Sequence, residues 1–313
     1  MYISVIVPAY NNSSALEKSL PTWESQRMDT GEYEVLVVDN NSTDNSAEIA
    51  LRFADENSNF RYVFETNPGA TNARHAGVRA SKGDILIFAD NDGLYNADCL
   101  KSIKEAFEAM PEVGAVACKI DILWDDDEPE WIKPYLFMLG KLDYGPEMFS
   151  RQDIYFNSGL FAIKRSVFEE LHGFNPDLVG GKIIGDGDTG LVMKMWDAGI
   201  PIGWAPNAVM QHMQQVDRHG STEGVALHFY NVGVADSYAL FRKNNFRNNG
   251  TVLKYRLLRC ALFTKKWLQY NILKKSDRKT YFSLKQREGE LAFFKNLKDL
   301  NIRKEVLKKD LYQ

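Results

Sequence analysis

Residues 85–92 read Ile-Leu-Ile-Phe-Ala-Asp-Asn-Asp, and this stretch decides the fold of a chain of 313 residues. Its first four apolar residues predict a buried strand, which ends where the carboxylates begin. Similar short apolar runs lie upstream at Ile3–Val7 and Val35–Val38, with helical patterns between them. Strands that alternate with helices indicate an α/β fold, with a Rossmann-like unit in the first 120 residues.

The composition is that of an ordinary globular protein, with 44% hydrophobic and 26% charged residues. It excludes wholesale disorder, collagen-like chains and small disulfide-linked folds. No run of 18 apolar residues occurs, and we expect neither a membrane-spanning helix nor a signal peptide. The three cysteines Cys99, Cys118 and Cys260 lie far apart, which is typical of reduced thiols and predicts a cytoplasmic protein.

The net charge of −4 conceals two regions of opposite sign. Residues 242–313 contain 20 Lys and Arg against 6 Asp and Glu, whereas residues 1–241 contain 18 against 36. We therefore expect two parts, a domain over residues 1–220 and a basic helical region over residues 221–313. A basic region attached to an acidic domain indicates an anionic partner.

One predicted helix of the basic region has an apolar stripe, interrupted by Lys254 and Lys265. The stripe consists of Leu253, Leu257, Ala261, Leu268 and Ile272. Such a helix suits an anionic membrane surface, and a solvated bundle that forms a homo-oligomer is the alternative. No nucleic-acid recognition motif accompanies the charge, so a nucleic-acid partner is not expected.

Three predicted strands end in polar or acidic segments. Pro8–Asn11 follow the first strand, Asp39–Ser42 the second and Asp90–Asp92 the fourth. Open α/β sheets bind ligands at the carboxyl ends of their strands, so this edge is the predicted site. Neither a GxGxxG pattern after the first strand nor a GxxxxGK[ST] loop occurs, so nucleotide phosphates need another partner.

Asp90 and Asp92 are suited to that role. Two carboxylates at positions i and i+2 after a strand can share a divalent cation, or one can hold the cation and the other a sugar hydroxyl. Mg²⁺ and Mn²⁺ prefer such oxygen ligands. A solvated turn is the alternative for an isolated pair of aspartates, but the two other polar strand ends favour a cation site.

Four motifs, taken in order, resemble the inverting nucleotide-sugar glycosyltransferases of family 2, which have the GT-A fold. They are YISVIVPAYN (2–11), VLVVDNNSTDNS (35–46), NPGATNARHAGVRASKGDILIFADND (67–92) and GDGDTGLVMKMWDAG (185–199). The resemblance covers about residues 3–215. It implies a mixed sheet flanked by helices, with a nucleotide-sugar half over residues 1–120 and an acceptor half over residues 121–220.

The resemblance also implies roles for single residues of the nucleotide-sugar half. The nucleotide-sugar contacts are Pro8, Ala9, Tyr10, Asn11, Asp39, Asn41, Asn67, Arg74, Asp84, Asp90 and Asn91. Asp39 would accept a hydrogen bond from the N3–H of uracil, whereas a turn carboxylate is the alternative. Arg74 would touch a phosphate, or alternatively pair with Asp84.

Asp92 would be a direct cation ligand, and His212, after the predicted strand Ile202–Trp204, a further one. Without the resemblance, a structural or solvent-facing histidine is the simpler interpretation of His212.

In the acceptor half, the resemblance implies that Asp188 is the general base. Gly187 replaces the glutamate that usually precedes this aspartate, and Asp186 is a second candidate for the base. A helix-capping role is the alternative for Asp188. The acceptor side would be shaped by Asn157, Ser158, Gly159 and Gly187.

Together these features predict an inverting glycosyltransferase that depends on Mn²⁺ or Mg²⁺. It would move a sugar from a nucleotide donor, UDP-linked, to a glycan or lipid-linked acceptor hydroxyl during surface polysaccharide synthesis, at the inner face of the cell membrane. A nucleotidyltransferase, which would release pyrophosphate, is one alternative. A non-catalytic nucleotide-sugar-binding module is the other, because the glutamate before Asp188 is missing.

Overall fold

A computed structural model describes residues 1–179, 182–183, 185–243, 249–273 and 277–307. The strands are β1 (Ile3–Ala9), β2 (Tyr33–Asp39), β3 (Phe60–Phe64), β4 (Ile85–Ala89), β5 (Gly93–Tyr95), β6 (Ala115–Trp124), β7 (Phe149–Arg151), β8 (Leu160–Lys164), β9 (Leu178–Val179), β10 (Lys182–Ile183) and β11 (Ile202–Gln214). The helices are α1 (Ser13–Glu24), α2 (Ser46–Glu56), α3 (Ala70–Ala80), α4 (Cys99–Ala109), α5 (Arg165–Glu170), α6 (Gly187–Asp197), α7 (Thr222–Lys243), α8 (Asn249–Asn271), α9 (Arg278–Asn296) and α10 (Leu300–Val306). A 3-10 helix, Glu130–Leu139, lies between β6 and β7.

One mixed sheet organises the molecule, in the order β3-β2-β1-β4-β8-β6-β11-β5, with β7 paired to β11. The strands β1 to β4 run parallel, and β8 runs antiparallel between β4 and β6. Ala89, at the end of β4, therefore lies opposite Leu160, at the start of β8. The predicted mixed sheet flanked by helices is confirmed.

Helices cover both faces of this sheet. On one face, α1, α2 and α4 pack, and Leu16, Leu20 and Trp23 of α1 are fully buried. On the other face, α3, α5 and α6 surround a group of aromatic rings that includes Phe88 and Phe161, whose ring centroids lie 5.1 Å apart. Because apolar side chains on both faces are removed from water, the strand ends are left as the polar edge of the sheet.

The strand that carries His212 is longer than the apolar run Ile202–Trp204 predicts. Beyond a register shift between Ala205 and Val209, β11 continues to Gln214 because it pairs with β6 on one side and with β5 on the other. This extension brings His212 to the same edge as the end of β4.

The C-terminal helices pack against each other and against the sheet domain. The helices α7 and α9 cross with their backbones in contact, because a Cβ atom at Gly233 would overlap the carbonyl oxygen of Gln286, and one at Gly289 that of Tyr230. Phe282 of α9 contacts Tyr135 of the 3-10 helix, with ring centroids 5.0 Å apart. Among the described residues, none of the helices combines the length and hydropathy of a membrane-spanning segment.

We expect Gly233→Ala and Gly289→Ala to destabilise the protein. Helix propensity alone favours alanine over glycine by about 1 kcal/mol, but overlap with a fixed backbone carbonyl costs about 1–3 kcal/mol beyond that gain. Urea denaturation, followed by circular dichroism, measures the difference. A higher unfolding midpoint in either variant would show that the two helices do not cross as closely as described.

Candidate active site

The carboxyl ends of β1, β2 and β4 meet at one edge of the sheet and form the floor of a cleft of about 580 Å³. Its lining includes Pro8, Ala9, Tyr10, Arg74, Asp90 and Asn91. The ring of Tyr10 is 60% exposed and is therefore accessible to a ligand in the cleft. We call this the first cleft.

Asn91 fixes the ends of β1 and β4 relative to each other. Its Nδ2 donates to the carbonyl oxygen of Pro8 at 2.8 Å, and its Oδ1 accepts from Nδ2 of Asn12 at 2.7 Å. The side chain of Asn91 is thus engaged within the protein and stabilises the floor of the cleft.

Asp39 ends β2 and is only 2% exposed. Its Oδ1 accepts from the backbone N–H of Ser42 at 2.9 Å, and its Oδ2 accepts from the hydroxyl of Tyr62 at 3.0 Å. Burial and this contact raise the pKa of Tyr62 to about 12. Asp39 therefore acts as a turn carboxylate, which was the alternative interpretation of this residue. A contact between Asp39 and a nucleotide base stays a prediction.

Three asparagines border the same edge. Asn11 and Asn41 have positive φ angles of 47° and 66° and are exposed. The Oδ1 of Asn11 accepts from the backbone N–H of Thr43 at 2.7 Å. The carbonyl oxygen of Asn67 accepts from Nδ2 of Asn40 at 2.6 Å, which joins the loop after β3 to the end of β2. All three lie beside the first cleft. A contact between each of them and a nucleotide sugar stays a prediction.

Arg74 of α3 is buried and donates from Nη2 to Oδ1 of Asp90 at 3.0 Å. Its guanidinium lies 5.5 Å from the ring centroid of Phe174, and within the described chain its Nε has no hydrogen-bond partner. Burial raises the pKa of Asp90, which Arg74 counteracts and the neighbouring Asp92 reinforces. A cationic side chain in the lining of the cleft is suited to an anionic ligand.

Asp84 does not belong to this edge. It precedes β4, whereas Asp90 follows it, so the two residues lie roughly 20 Å apart along the strand. The Oδ2 of Asp84 accepts from the backbone N–H of Tyr2 at 3.1 Å, at the opposite edge of the sheet. The expected position of Asp84 near the nucleotide, and the alternative pair between Arg74 and Asp84, are both wrong.

Asp90, Asp92 and His212 form a candidate cation site. One oxygen from each carboxylate and one ring nitrogen of the histidine all lie within 4.8 Å of one another. The Nε2 of His212 is 3.4 Å from Oδ1 of Asp92. Two oxygens and one imidazole nitrogen are a donor set that Mn²⁺ accepts readily and that Mg²⁺ accepts with added water or phosphate oxygens.

The second ring nitrogen of His212 is held by the protein. Its Nδ1 lies 3.1 Å from the carbonyl oxygen of Leu139, which can only accept, so Nδ1 carries the hydrogen and Nε2 keeps its lone pair. The amide of Gln214, 2.8 Å from Nε2, fits the same tautomer as a donor. Burial lowers the pKa of His212, but the carboxylates of Asp92 and Asp90 outweigh burial and raise it. The residues present therefore fit a divalent cation, which would replace the Gln214 amide at Nε2 and compete there with a proton.

Asp188 lies in the first turn of α6 and is hydrogen-bonded to Ser158. The next residue, Gly159, is hydrogen-bonded to Asp90. The Oδ2 of Asp188 accepts from the backbone N–H of Ser158 at 2.8 Å, and the carbonyl oxygen of Gly159 accepts from the backbone N–H of Asp90 at 3.1 Å. Its Oδ1 accepts from the hydroxyl of Tyr155 at 3.0 Å, and burial raises the pKa of that hydroxyl, so it stays a donor. Sequence reasoning missed Tyr155, which precedes β8 in no recognisable motif.

A second cleft of about 600 Å³ lies beside Asn157 and Asp188. It is lined by Tyr155, Asn157, Gly187 and Asp188, together with His228 and Asn231 of α7. Burial lowers the pKa of His228 to about 4, so this ring is neutral near pH 7. No motif surrounds His228, and only the packing of α7 brings it to the cleft. The region after residue 220 thus contributes to the site.

Asp186 and Gly187 set the start of α6. Asp186 is 6% exposed and accepts from Nδ2 of Asn175 at 2.9 Å, and burial raises its pKa to about 6. Gly187 has a φ of 48°, and a Cβ there would meet no atom within 4 Å, so the glycine is required by backbone conformation. Asp188 is less buried than Asp186 and is anchored to Ser158, and a base at either position stays a prediction.

Comparison with known proteins assigns this chain to a family. Residues 4–172, more than half of the chain, match the model of glycosyl transferase family 2. The chain therefore belongs to glycosyl transferase family 2. Glycosyltransferase AglE of Haloferax volcanii is 40% identical over 92 residues, which cover 29% of this chain and only 30% of AglE.

Two solved structures establish the fold. The mannosyltransferase PcManGT from Pyrobaculum calidifontis, in complex with GDP-Man and Mn²⁺, superposes with a TM-score of 0.56 at 20% identity, over 93% of this chain and 87% of that one. S. aureus TarS 1–349, in complex with UDP-GlcNAc, gives a TM-score of 0.54 at 17% identity, over 96% and 93%. The mixed sheet described above is thus a GT-A fold.

We expect Asp92→Asn and His212→Ala to weaken Mn²⁺ binding at least about tenfold, because each removes one ligand of a three-residue set. Electron paramagnetic resonance of free Mn²⁺ during a titration measures the affinity. Asp84→Asn is the matched control, since Asp84 lies at the opposite edge and its loss leaves the site intact. Equal Mn²⁺ affinity in the parent and both site variants would contradict the assignment.

Asp186→Asn should make the protein more stable at neutral pH. The pKa of Asp186 is raised from 3.8 to about 6 in the folded state, so between these values the folded protein binds more protons and its stability falls as pH rises. Above pH 6 this raised pKa lowers the free energy of unfolding by about 2–3 kcal/mol, and the variant, which has no carboxylate at this position, does not lose this free energy. Urea denaturation at two pH values, one below the unfolded pKa and one above the folded pKa, checks it. A difference between variant and parent that is the same at both pH values would contradict this burial effect.

Proposed function

We propose that this protein transfers a sugar from a nucleotide-activated donor to an acceptor hydroxyl, with inversion at the anomeric carbon. One observation carries the proposal. Asp90 contacts Gly159, and Asp188 contacts the neighbouring Ser158, so a candidate cation site and a candidate base flank one short segment between two clefts. Direct displacement at a sugar carbon needs these two groups on opposite sides of the reacting carbon.

The first cleft is suited to the nucleotide. Its exposed Tyr10 ring offers a stacking surface for a base, and the guanidinium of Arg74, which lines the cleft, offers positive charge to an anionic group. Asp39 directly precedes Asn40, which lines this cleft, and each of its oxygens keeps a second lone pair, which would accept from the N3–H of uracil. These features support UDP as the nucleotide. PcManGT and TarS bound a guanine and a uracil nucleotide sugar respectively, which supports the donor class.

A divalent cation held by Asp90, Asp92 and His212 would supply a Lewis acid beside the departing diphosphate, and we propose Mn²⁺ or Mg²⁺ in this role. The protein prepares this site through neighbouring groups. Arg74 orients the carboxylate of Asp90, and the carbonyl of Leu139 orients the ring of His212.

Asp188 would act on the acceptor. The hydroxyl of Tyr155 and the backbone N–H of Ser158 hold its carboxylate in one orientation at the wall of the second cleft. The acceptor oxygen forms a bond to the anomeric carbon, the bond from that carbon to the diphosphate breaks, and the hydroxyl proton moves to Asp188. A single displacement without a second carboxylate nucleophile inverts the configuration.

The second cleft is suited to a sugar acceptor, because it combines apolar side chains such as Phe137 with the polar side chains of Asn157, His228 and Asn231. We propose a glycan or lipid-linked acceptor, synthesis of a surface polysaccharide, and a location at the inner face of the cell membrane. Membership of a glycosyltransferase family favours this reaction over the nucleotidyltransferase and non-catalytic alternatives.

Asp188→Asn should reduce sugar transfer about 10²- to 10⁴-fold while donor binding is unchanged, because only the proton acceptor is lost. The donor is first identified by thermal stabilisation of the protein with single nucleotide sugars and Mn²⁺. Transfer is then measured by release of the nucleoside diphosphate, and the anomeric configuration of the product by nuclear magnetic resonance.

Asp197→Asn, in the last turn of the same helix, is the matched control and should keep full activity. Asp186→Asn distinguishes the two candidate bases. If Asp188 is the base, this variant should keep most of the transfer activity that Asp188→Asn loses. Full turnover by Asp188→Asn would refute the base assignment, and release of pyrophosphate would refute glycosyl transfer.

A further inference from the structure

The apolar stripe of α8 faces away from the protein. Its large side chains, Leu253, Leu257 and Leu268, are between 44% and 61% exposed, and Ile272, directly after the last residue of the helix, is 60% exposed. With 3.6 residues per turn they lie along one side of the helix, and Ala261 of the same stripe is exposed between them. Helices of globular proteins usually turn such a stripe toward a core, so this face is incomplete without a partner.

The rotation of α8 is fixed by its other side. Arg259 lies 3.5 Å from the carboxylate of Glu290, which is 2% exposed within α9. The ring of Tyr270 contacts that of Tyr281, with centroids 5.4 Å apart. Because these inward contacts orient the helix, the exposure of the stripe follows from packing against α9.

The surroundings of the stripe are cationic. Residues 249–273 contain five Lys and Arg and no Asp or Glu. Lys254 and Lys265 are exposed beside the stripe, and neither forms an ion pair with any described residue. Trp267, 42% exposed, lies on the other border. Apolar side chains flanked by lysines and a tryptophan are the pattern of a helix that lies in a membrane interface.

We propose that this face of α8 binds an anionic membrane surface, with the helix lying parallel to it. Charge selects this occupant over a second copy of the chain, because pairing the two stripes would bring the four exposed lysines Lys254 and Lys265 of both copies together, and α8 has no carboxylate to neutralise them. Anionic headgroups neutralise the lysines, and the acyl boundary accepts the leucines and the tryptophan. This binding gives the proposed membrane location a physical basis, and it does not depend on sugar transfer.

Flotation of the full chain with phospholipid vesicles tests the proposal. Vesicles of phosphatidylcholine with phosphatidylglycerol should retain the protein, phosphatidylcholine alone should retain much less, and added salt should release it. The double variant Leu257→Gln with Leu268→Gln should bind at least about tenfold more weakly, because each change removes the burial of one leucine. Lys254→Gln with Lys265→Gln should lose the preference for the anionic lipid.

Leu51→Gln on α2 and Lys101→Gln on α4 are the matched controls, since both side chains are exposed but lie on the sheet domain. Circular dichroism confirms that each variant is folded, and transfer to a soluble acceptor should be unchanged in the α8 variants. Equal flotation of parent and α8 variants would overturn the proposal. A dimer in solution that the leucine variant dissociates, without vesicle binding by the parent, would overturn it in favour of self-association.

Discussion

The site depends on the antiparallel insertion of β8 between β4 and β6. This pairing places the start of β8 beside the end of β4, where the backbone of Asp90 contacts that of Gly159. The preceding residue, Ser158, donates to the carboxylate of Asp188. Two hydrogen bonds on consecutive residues thus join the edge of the parallel strands to the first turn of α6. An all-parallel sheet would have carried these acidic groups on separate loops, without a common support.

The C-terminal helices complete the site, although their charge suggests a separate region. Phe282 of α9 packs against the 3-10 helix, and the last residue of that helix, Leu139, contacts the imidazole of His212. His228 and Asn231 of α7 line the second cleft. The basic region is therefore part of the structural support of the site, whatever surface its outer side contacts.

Local patterns allowed much of the fold to be predicted, because strand periodicity and acidic strand ends are properties of neighbouring residues. Asp90, Asp92 and the strands β1, β2 and β4 follow from such patterns, and with the family resemblance so do His212 and Asp188 as candidates. Asp84 was misplaced because its position was taken from the family resemblance, although the strand β4 separates it from Asp90. The length of β11 could not be read from apolar residues, since two neighbouring strands, and not its own pattern, extend it.

Long-range packing was the part that the sequence did not show. The stripe of α8 is evident from residue spacing, but its outward direction depends on contacts of α8 with α9. In the same way His228 has no motif, and its place in the second cleft depends on how α7 crosses the domain.

The 3-10 helix Glu130–Leu139 has a consequence for the way the site is built. Phe137 and Met138 line the second cleft, and the carbonyl of the next residue fixes the ring that faces Asp92. Consecutive residues of one short helix thus serve both compartments, so the wall of the second cleft and the support of the imidazole are a single piece of backbone.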